Sequence, residues 1–210
     1  MNNFEFYNPT RIIFGKGTIA NLSSRVPRKA KVMLLYGGGS IKENGVYDQV
    51  LDALKQHKVV EFGGIEANPD YATLLKAIKQ VRKKNVDFLL AVGGGSVIDG
   101  TKFVSMASPN DTIEPWDLLT RNLAKDLKKT IPFGTVLTLP ATASEFNHNS
   151  VISRRETQEK FSFASDRVFP KFSILDPETT YSLPQKQLRN GLVDAYVHVM
   201  EQYLTYPAGG

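Results

Sequence analysis

The sequence predicts an α/β protein in which a Rossmann-like parallel sheet is flanked by helices. Apolar runs of strand length alternate with segments of helical spacing, and these runs lie at residues 31–36, 59–62, 88–92 and 134–140. Nearly continuous apolar strands are typical of a parallel sheet that is covered on both faces. Two of the runs end in the same tetrapeptide, Gly-Gly-Gly-Ser, at residues 37–40 and 93–96. A glycine turn that follows a buried strand and opens a helix indicates the same fold class.

The start of the chain predicts two short strands and one helix. Residues 4–7 and 11–14 have strand-like patterns on either side of a turn that contains Pro9. A short helix follows, with apolar positions at Ile19, Leu22 and Val26. We expect Pro27 to end it.

Two further helices follow the first glycine turn. Ser40 is the expected N-cap of the first helix, because its hydroxyl can accept a hydrogen bond from a free backbone N–H. The second helix is predicted at residues 71–84. The residues predicted to point inward are Val46, Val50, Leu51 and Leu54 in the first, and Leu74, Leu75, Ile78 and Val81 in the second.

The two glycine turns predict a nucleotide site. Residues without a Cβ allow backbone N–H groups to approach a phosphate, and the positive end of the following helix points at the same place. A single such turn is equally compatible with tight packing, but two copies favour a ligand. We therefore interpret both turns as facing a nucleotide, through Gly37, Gly38, Gly39 and Ser40 and through Gly93, Gly94, Gly95 and Ser96. The standard fingerprint G-x-G-x-x-G is absent, because Lys42 and Ile98 stand where its third glycine would be.

The second half of the chain predicts a ligand-facing loop and then a long helix. After a polar connection at residues 109–129, the strand at 134–140 opens into a small, polar run at 141–150. Ligands bind at such carboxyl ends of strands in α/β sheets. Strand-like segments follow at 151–153, 161–163 and 172–175, and Asp176-Pro177 stops the last of them.

A continuous helix is predicted from residue 185 to about Tyr206, with Pro184 suited to its first turn. Nothing follows it that could cover its apolar face, which consists of Leu188, Leu192, Val193, Val197, Met200 and Leu204. We therefore expect a nucleotide-binding domain at residues 1–180 and the start of a truncated helical domain at 181–210. The chain is expected to be a fragment, or to receive the missing surface from another chain.

The composition argues against a thiolate metal site, a membrane partner and a nucleic-acid partner. The 210 residues carry a net charge of +5 and no cysteine, so a metal would have to be held by carboxylate, imidazole or water. No apolar run of membrane-spanning length and no signal-peptide pattern is present, which predicts a cytoplasmic protein without a membrane partner. The basic residues form no dense cluster interleaved with aromatic residues, so we expect no nucleic-acid partner.

Asp194 and His198 lie four residues apart on the last predicted helix, so both side chains point from one face. Taken alone, this pair is better explained by a hydrogen bond on a helix surface than by a metal. It occurs, however, together with Gly-Gly-Gly-Ser-Val-Ile-Asp at 93–99, Leu-Pro-Ala-Thr-Ala-Ser-Glu at 139–145 and Leu-Asp-Pro at 175–177. In this combination the chain resembles the iron-containing (group III) alcohol dehydrogenases, and more closely their NADP-dependent butanol dehydrogenase and broad-range aldehyde reductase branch.

The resemblance implies an amino-terminal α/β domain of the dehydroquinate synthase-like type, an all-helical second domain, and a metal in the cleft between them. It implies that the second glycine turn and Asp99 hold the pyrophosphate and nicotinamide ribose of NADP(H). Further cofactor contacts are implied for Thr138, Thr142, Ser144, Asn147 and Lys160. Asp194 and His198 would be catalytic as the first two ligands of iron or zinc, which would polarise the carbonyl of an aldehyde while hydride passes from nicotinamide C4. A homodimer is also expected.

Two departures from the family pattern lead to expectations of their own. Ala143 stands where the family usually has glycine, which predicts altered backbone dihedrals in that loop. The family's other two metal ligands are histidines of the helical domain, so this chain alone is expected to bind cofactor without turning over alcohol. A non-catalytic nucleotide-binding module therefore stays open as an alternative, as does an enzyme related to dehydroquinate synthase or glycerol-1-phosphate dehydrogenase.

NADP(H) is the predicted cofactor rather than NAD(H). Residues 37–40 contain no acid that would repel a ribose 2′-phosphate, and an aspartate placed at position 39 is expected to shift the preference toward NAD. Glu61 argues the other way, because an acid about 20 residues after the glycines selects NAD in an ordinary Rossmann unit.

Overall fold

The computed structural model describes residues 3–205. The strands are β1 (Arg11–Phe14), β2 (Lys31–Tyr36), β3 (Lys58–Phe62), β4 (Phe88–Gly94), β5 (Phe133–Leu139), β6 (Asn149–Arg154), β7 (Glu159–Ala164) and β8 (Phe172–Leu175). The α-helices are α1 (Leu22–Arg25), α2 (Ser40–Glu43), α3 (Val46–Ala53), α4 (Tyr71–Lys84), α5 (Gly95–Ala107), α6 (Asp117–Thr120) and α7 (Gln185–Leu204). Short 3-10 helices lie at Thr18–Asn21, Leu123–Lys125, Asp166–Val168 and Pro177–Thr180.

Six strands form one parallel sheet in the order β1-β8-β5-β4-β2-β3, and β6 pairs with β7 as a separate antiparallel hairpin. An apolar core lies on each face of the sheet. Met33 and Leu35 pack in the core that contains residues of α4 and α5, whereas Val32 and Leu34 pack in the core that contains residues of α1 and α3. Both faces of β2 are thus buried, which explains its unbroken apolar sequence. The predicted fold class is confirmed.

The strand order places both glycine turns at one crevice. The chain leaves β2 for β3 on one side and then crosses back to β4 on the other side. Such a switch point opens a crevice at the carboxyl ends of the strands, which is where α/β sheets bind ligands. Tyr36 at the end of β2 pairs in register with Val92 of β4, so the turns that follow these strands are neighbours.

Four local predictions are wrong. The single helix predicted after the first glycine turn is two helices, α2 and α3, with Gly45 at φ 79° between them. Residues 4–7 are not a strand; β1 is already the outermost strand of the sheet, and Phe4, Phe6 and Tyr7 are exposed. Ser40 is the first residue of α2 rather than its N-cap, because Gly39 holds the cap position at φ 107°. The helix at Tyr71–Lys84 has the predicted bounds, but Leu75 in it is half-exposed.

Helix α7 carries its apolar residues on the surface. It spans Gln185–Leu204, and the predicted end at Tyr206 lies outside the described residues. Pro184 is its N-cap residue. No residue of α7 is buried, and Leu192 and Leu204 are 74% and 70% exposed. None of the helices described between residues 3 and 205 combines the length and apolarity that crossing a membrane requires.

In the loop after β5, the backbone at Ala143 has unusual dihedrals, as its place in the family pattern predicted. Ala143 has φ 51°, in the left-handed region that favours glycine, and its side chain is exposed. Ala141, two residues earlier, is also exposed but does not have a positive φ. The two alanines therefore differ in backbone strain and not in burial.

We predict that Ala143→Gly raises the free energy of unfolding by roughly 0.5–1 kcal/mol, because relief of left-handed strain exceeds the entropy that glycine adds to the unfolded chain. Ala141→Gly, the matched control, should lower it by about 0.5 kcal/mol through that entropy alone. Urea unfolding of both variants gives the comparison. Equal destabilisation by the two changes would contradict the assignment of strain to position 143.

Candidate functional site

A polar cavity of about 340 Å³ lies at the carboxyl end of β4. Seven of the predicted cofactor residues line it, namely Gly95, Ser96, Asp99, Thr142, Ser144, Asn147 and Lys160. The remaining lining residues are Asn68, Pro69, Asn149 and Val151, of which Asn149 lies in the ligand-facing run predicted at 141–150. The structure therefore brings together residues from α5, the loop after β5 and the hairpin β6–β7.

The second glycine turn has no room for side chains. A Cβ on Gly95 would overlap Thr142 Oγ1, and one on Gly93 would lie 2.6 Å from Val97 Cγ2. Gly94 would meet Leu139 Cβ at 3.2 Å. Gly93 and Gly94 thus shape the turn, and Gly95 is the glycine that reaches the cavity wall.

The first glycine turn and Thr138 lie outside this cavity. Positions 38 and 39 are open, since a Cβ placed there would have nothing within 4 Å. Thr138 is skipped in the pairing of β4 with β5, where Gly93 pairs with Leu137 and Gly94 with Leu139. A bulge of this kind re-aims the side chains at a strand end.

Asp99 is the acid of the cavity and is held at both oxygens. Oδ1 accepts a short hydrogen bond from Ser144 Oγ, and Oδ2 accepts one from the backbone N–H of Val151 at 3.0 Å. Its backbone carbonyl accepts from Ser150 Oγ at 2.8 Å. Burial raises the pKa of Asp99, and the hydrogen bond from Ser144 opposes that shift.

Lys102 binds several residues on this side of the cavity, and the sequence did not predict this role. Its side chain is fully buried, and Nζ donates to Ser144 Oγ at 2.8 Å, to Asn147 Oδ1 at 2.9 Å and to the carbonyl of Asn149 at 2.7 Å. Nζ also lies 3.8 Å from Asp99 Oδ1. Burial lowers the pKa of Lys102 to about 8, against the opposing charges of Asp99 and Glu145. A lysine among the apolar residues of α5, three positions after an aspartate, was the available signal.

Lys160 and Asn68 close the opposite side. Lys160 Nζ donates to Asn68 Oδ1 at 2.8 Å, and the backbone N–H of Asn68 donates to Ser96 Oγ at 3.2 Å. Lys160 is exposed, so its charge is available to a ligand. Together with the amino end of the 13-residue helix α5, it makes this side of the cavity attractive to an anion.

A second cavity, of about 470 Å³, lies between the loop after β5 and α7. Asp194 and His198 both line it, and His198 Nε2 lies 3.7 Å from Asp194 Oδ2. His198 Nδ1 also lies 3.4 Å from Glu201 Oε2. A carboxylate oxygen and an imidazole nitrogen are suitable ligands for zinc or iron. In the described part of the chain, however, no group of three or more such side chains is placed to hold a metal ion.

The loop at residues 141–145 separates the two cavities. Thr142 and Ser144 line the polar cavity, whereas Ala141, Ala143 and Glu145 line the cavity that contains Asp194. One short segment therefore contacts both sites, with successive residues on opposite sides. The two cavities therefore adjoin at this segment.

Comparisons with known proteins identify the family of this chain. The family model described as iron-containing alcohol dehydrogenase matches residues 9–177. The NADPH-dependent aldehyde reductase YqhD of Escherichia coli is 56% identical over 208 residues, covering 99% of this chain and 54% of that protein. A probable NADH-dependent butanol dehydrogenase of Bacillus subtilis is 50% identical over 206 residues, covering 97% of this chain and 52% of that protein.

A crystal structure with a similar fold is that of NADH-dependent butanol dehydrogenase A from Thermotoga maritima. It has a TM-score of 0.87 at 41% identity, covering 96% of this chain and 51% of that chain. The chain thus spans about half the length of the relatives that it matches. The matched residues include both glycine turns, the loop at 141–145 and the buried Lys102. The chain belongs to the iron-containing alcohol dehydrogenase family, as its motifs predicted.

Proposed function

We propose that the protein to which this chain belongs is a metal-dependent oxidoreductase that transfers hydride between NADP(H) and an alcohol/aldehyde pair. The observation that carries this proposal is the loop at 141–145, which has the cofactor residues on one side and Asp194 and His198 on the other. Hydride transfer requires the cofactor and the substrate to meet at one place. The polar cavity and the cavity with the pair of metal-ligand side chains adjoin at this loop, which supports that arrangement.

In the polar cavity, Gly95 and Ser96 would hold the pyrophosphate at the amino end of α5. Gly93 and Gly94 give the turn its shape. Asp99, fixed by Ser144 and Val151, would accept from a ribose hydroxyl. The bound nicotinamide supplies the hydride. Thr142, Asn147 and Lys160 complete the wall.

On the other side of the loop, Asp194 and His198 would contribute two ligands to iron or zinc. A bound divalent cation polarises a carbonyl oxygen as a Lewis acid. Such catalytic sites usually have at least three protein ligands. We therefore propose that residues 181–210 are the start of a helical metal-binding domain, with residues 1–180 as the nucleotide-binding domain.

We also propose that the enzyme is a homodimer in the cytoplasm, acting on a small alcohol or aldehyde and not on nucleic acid or a membrane. The open edge of the sheet supports the dimer. β1 is an outermost strand, and Ile12 and Phe14 in it are 40% and 73% exposed. Apolar residues on an open edge favour pairing with another chain.

Lys102 supports the cofactor wall in this proposal. It contacts Ser144, Asn147 and the backbone of Asn149, so it holds the loop against α5 without touching the cofactor itself. Its ammonium also offsets the charge of Asp99. Removing it would leave several buried partners without a hydrogen bond.

We predict that NADPH binds the 210-residue chain more tightly than NADH. The first glycine turn at residues 37–40 contains no acid that would repel a ribose 2′-phosphate. Isothermal titration calorimetry with both cofactors tests this. Tighter binding of NADH would reject the proposed preference.

An acid in the first turn should reverse the preference, and Gly38 is the better position for it. Gly39 has φ 107°, so any side chain there adds strain, whereas Gly38 has a φ outside that range and open space around its Cβ position. Gly38→Asp should weaken NADPH binding by about tenfold or more through charge repulsion. Gly38→Asn, of equal size and without charge, is the control and should change it little.

We predict that the 210-residue chain has little or no activity with NADPH, butanal and added zinc or ferrous iron, because it supplies two metal ligands. A chain extended through the next helical domain should be active and should lose activity in His198→Ala. His148→Ala is the control, because His148 pairs with Asp166 and lines neither cavity beside the 141–145 loop. Equal turnover by the short and extended chains would refute the role given to the metal site.

For Lys102 we predict a pH-dependent contribution to stability. Its pKa is about 8 in the folded chain and about 10.5 when unfolded, so between these values the unfolded chain binds a proton that the folded chain has released. Stability should therefore rise with pH in this window. From pH 8 to 10.5, the unfolding free energy of the wild type should increase by up to about 3 kcal/mol relative to that of Lys102→Met. A flat difference measured by urea unfolding would contradict the lowered pKa.

A further inference from the structure

A polar cluster lies beside the first glycine turn and is separate from both cavities. It consists of Tyr36, Lys42, Tyr47 and Glu61. Glu61 Oε2 accepts from Lys42 Nζ at 3.2 Å and from the Tyr36 hydroxyl at 3.1 Å, and Oε1 accepts from the Tyr47 hydroxyl at 2.5 Å. Both oxygens of the acid are therefore engaged. The hydrogen bond from Tyr47 contributes most to a lowered pKa of Glu61, so the carboxyl stays ionised.

Lys42 is held between this acid and two aromatic rings. Its Nζ lies 5.0 Å from the centroid of Tyr36 and 4.5 Å from that of Tyr47. Both rings attract an ammonium through their faces. The Lys42 side chain is nonetheless 45% exposed, and Glu61 takes one of its three N–H donors. The charge is fixed in position but is still accessible to an anion.

The cluster adjoins the open part of the first glycine turn. Tyr36 is the last residue of β2 and directly precedes Gly37, and the backbone N–H of Lys42 donates to the carbonyl of Gly39 at 2.8 Å. The loop after β3 is tied to the same turn, since Gly64 N–H donates to Gly37 O at 2.9 Å. Lys42 is thus a fixed cation next to the first glycine turn, which the sequence predicts to face the nucleotide.

This arrangement resolves the conflict over Glu61. A free acid at this end of the sheet would accept from a ribose 2′-hydroxyl and repel a 2′-phosphate. Here the acid already accepts from three donors, and its charge is balanced by Lys42. A 2′-hydroxyl would have to displace one of those donors, whereas a 2′-phosphate meets a cation that can donate further hydrogen bonds.

We propose that Lys42 determines the preference for a cofactor with a ribose 2′-phosphate, and that Glu61 moderates this preference by neutralising part of its charge. The proposal rests on the proposed binding of NADP(H). It assigns specificity to a residue outside the glycine turns. It also predicts opposite effects for the two members of one ion pair.

The test measures NADPH and NADH binding to the full chain by calorimetry. Lys42→Met should weaken NADPH binding at least fivefold and change NADH binding less than twofold. Glu61→Gln should strengthen NADPH binding severalfold and leave NADH unchanged. Lys55→Met is the matched control, because Lys55 is an exposed lysine in a 3.3 Å ion pair with Asp52, at the amino end of β3 and away from the glycine turns.

The possible results separate this inference from the proposed function. Equal loss of NADPH binding in Lys42→Met and Lys55→Met would reduce the effect to net charge and overturn the inference. Equal loss of NADPH and NADH in Lys42→Met would overturn it as well, since specificity would be unchanged. A wild-type chain that binds neither cofactor would refute the proposed function and the inference together, whereas cofactor binding that Lys42→Met leaves intact would refute the inference alone.

Discussion

The buried ammonium of Lys102 is the interaction on which the polar cavity depends. An unpaired charge inside a protein is strongly unfavourable, so a fully buried lysine requires partners on all sides. Those partners are Ser144, Asn147 and Asn149, more than forty positions along the chain from Lys102. The need to satisfy one cation thus fixes the loop after β5 against α5. In doing so it places Ser144 where its hydroxyl reaches Asp99.

The position of that loop in turn relates the two cavities. β5 lies beside β4 in the centre of the sheet, so the chain that leaves β5 passes next to the second glycine turn. Residues 141–145 form bends and turns, and they contribute alternately to the polar cavity and to the cavity beside α7. The left-handed dihedral of Ala143 lies within this segment. Strain at such a position is common where a loop serves a site on each side.

The two lysine clusters show opposite uses of charge. Lys102 is buried, and its partners hold a wall in place. Lys42 is exposed and paired with one acid, a type of ion pair that contributes little to stability. Its fixed position over two rings gives it a role in discrimination instead. One cation organises the interior of the site, and the other modifies its rim.

Local pattern in the sequence determined the strands, most helices and the family, because apolar periodicity and glycine turns act over a few residues. It predicted the helix at Tyr71–Lys84 with its correct bounds and seven residues of the polar cavity. It could not show that residues 4–7 lack a strand partner, or that Lys102 is buried. Nor could it show that the carboxylate of Glu61 already accepts three hydrogen bonds, since the donors lie 14, 19 and 25 positions away along the chain. Strand pairing and the burial of charge are decided by contacts between distant segments, and only the tertiary structure brings those segments together.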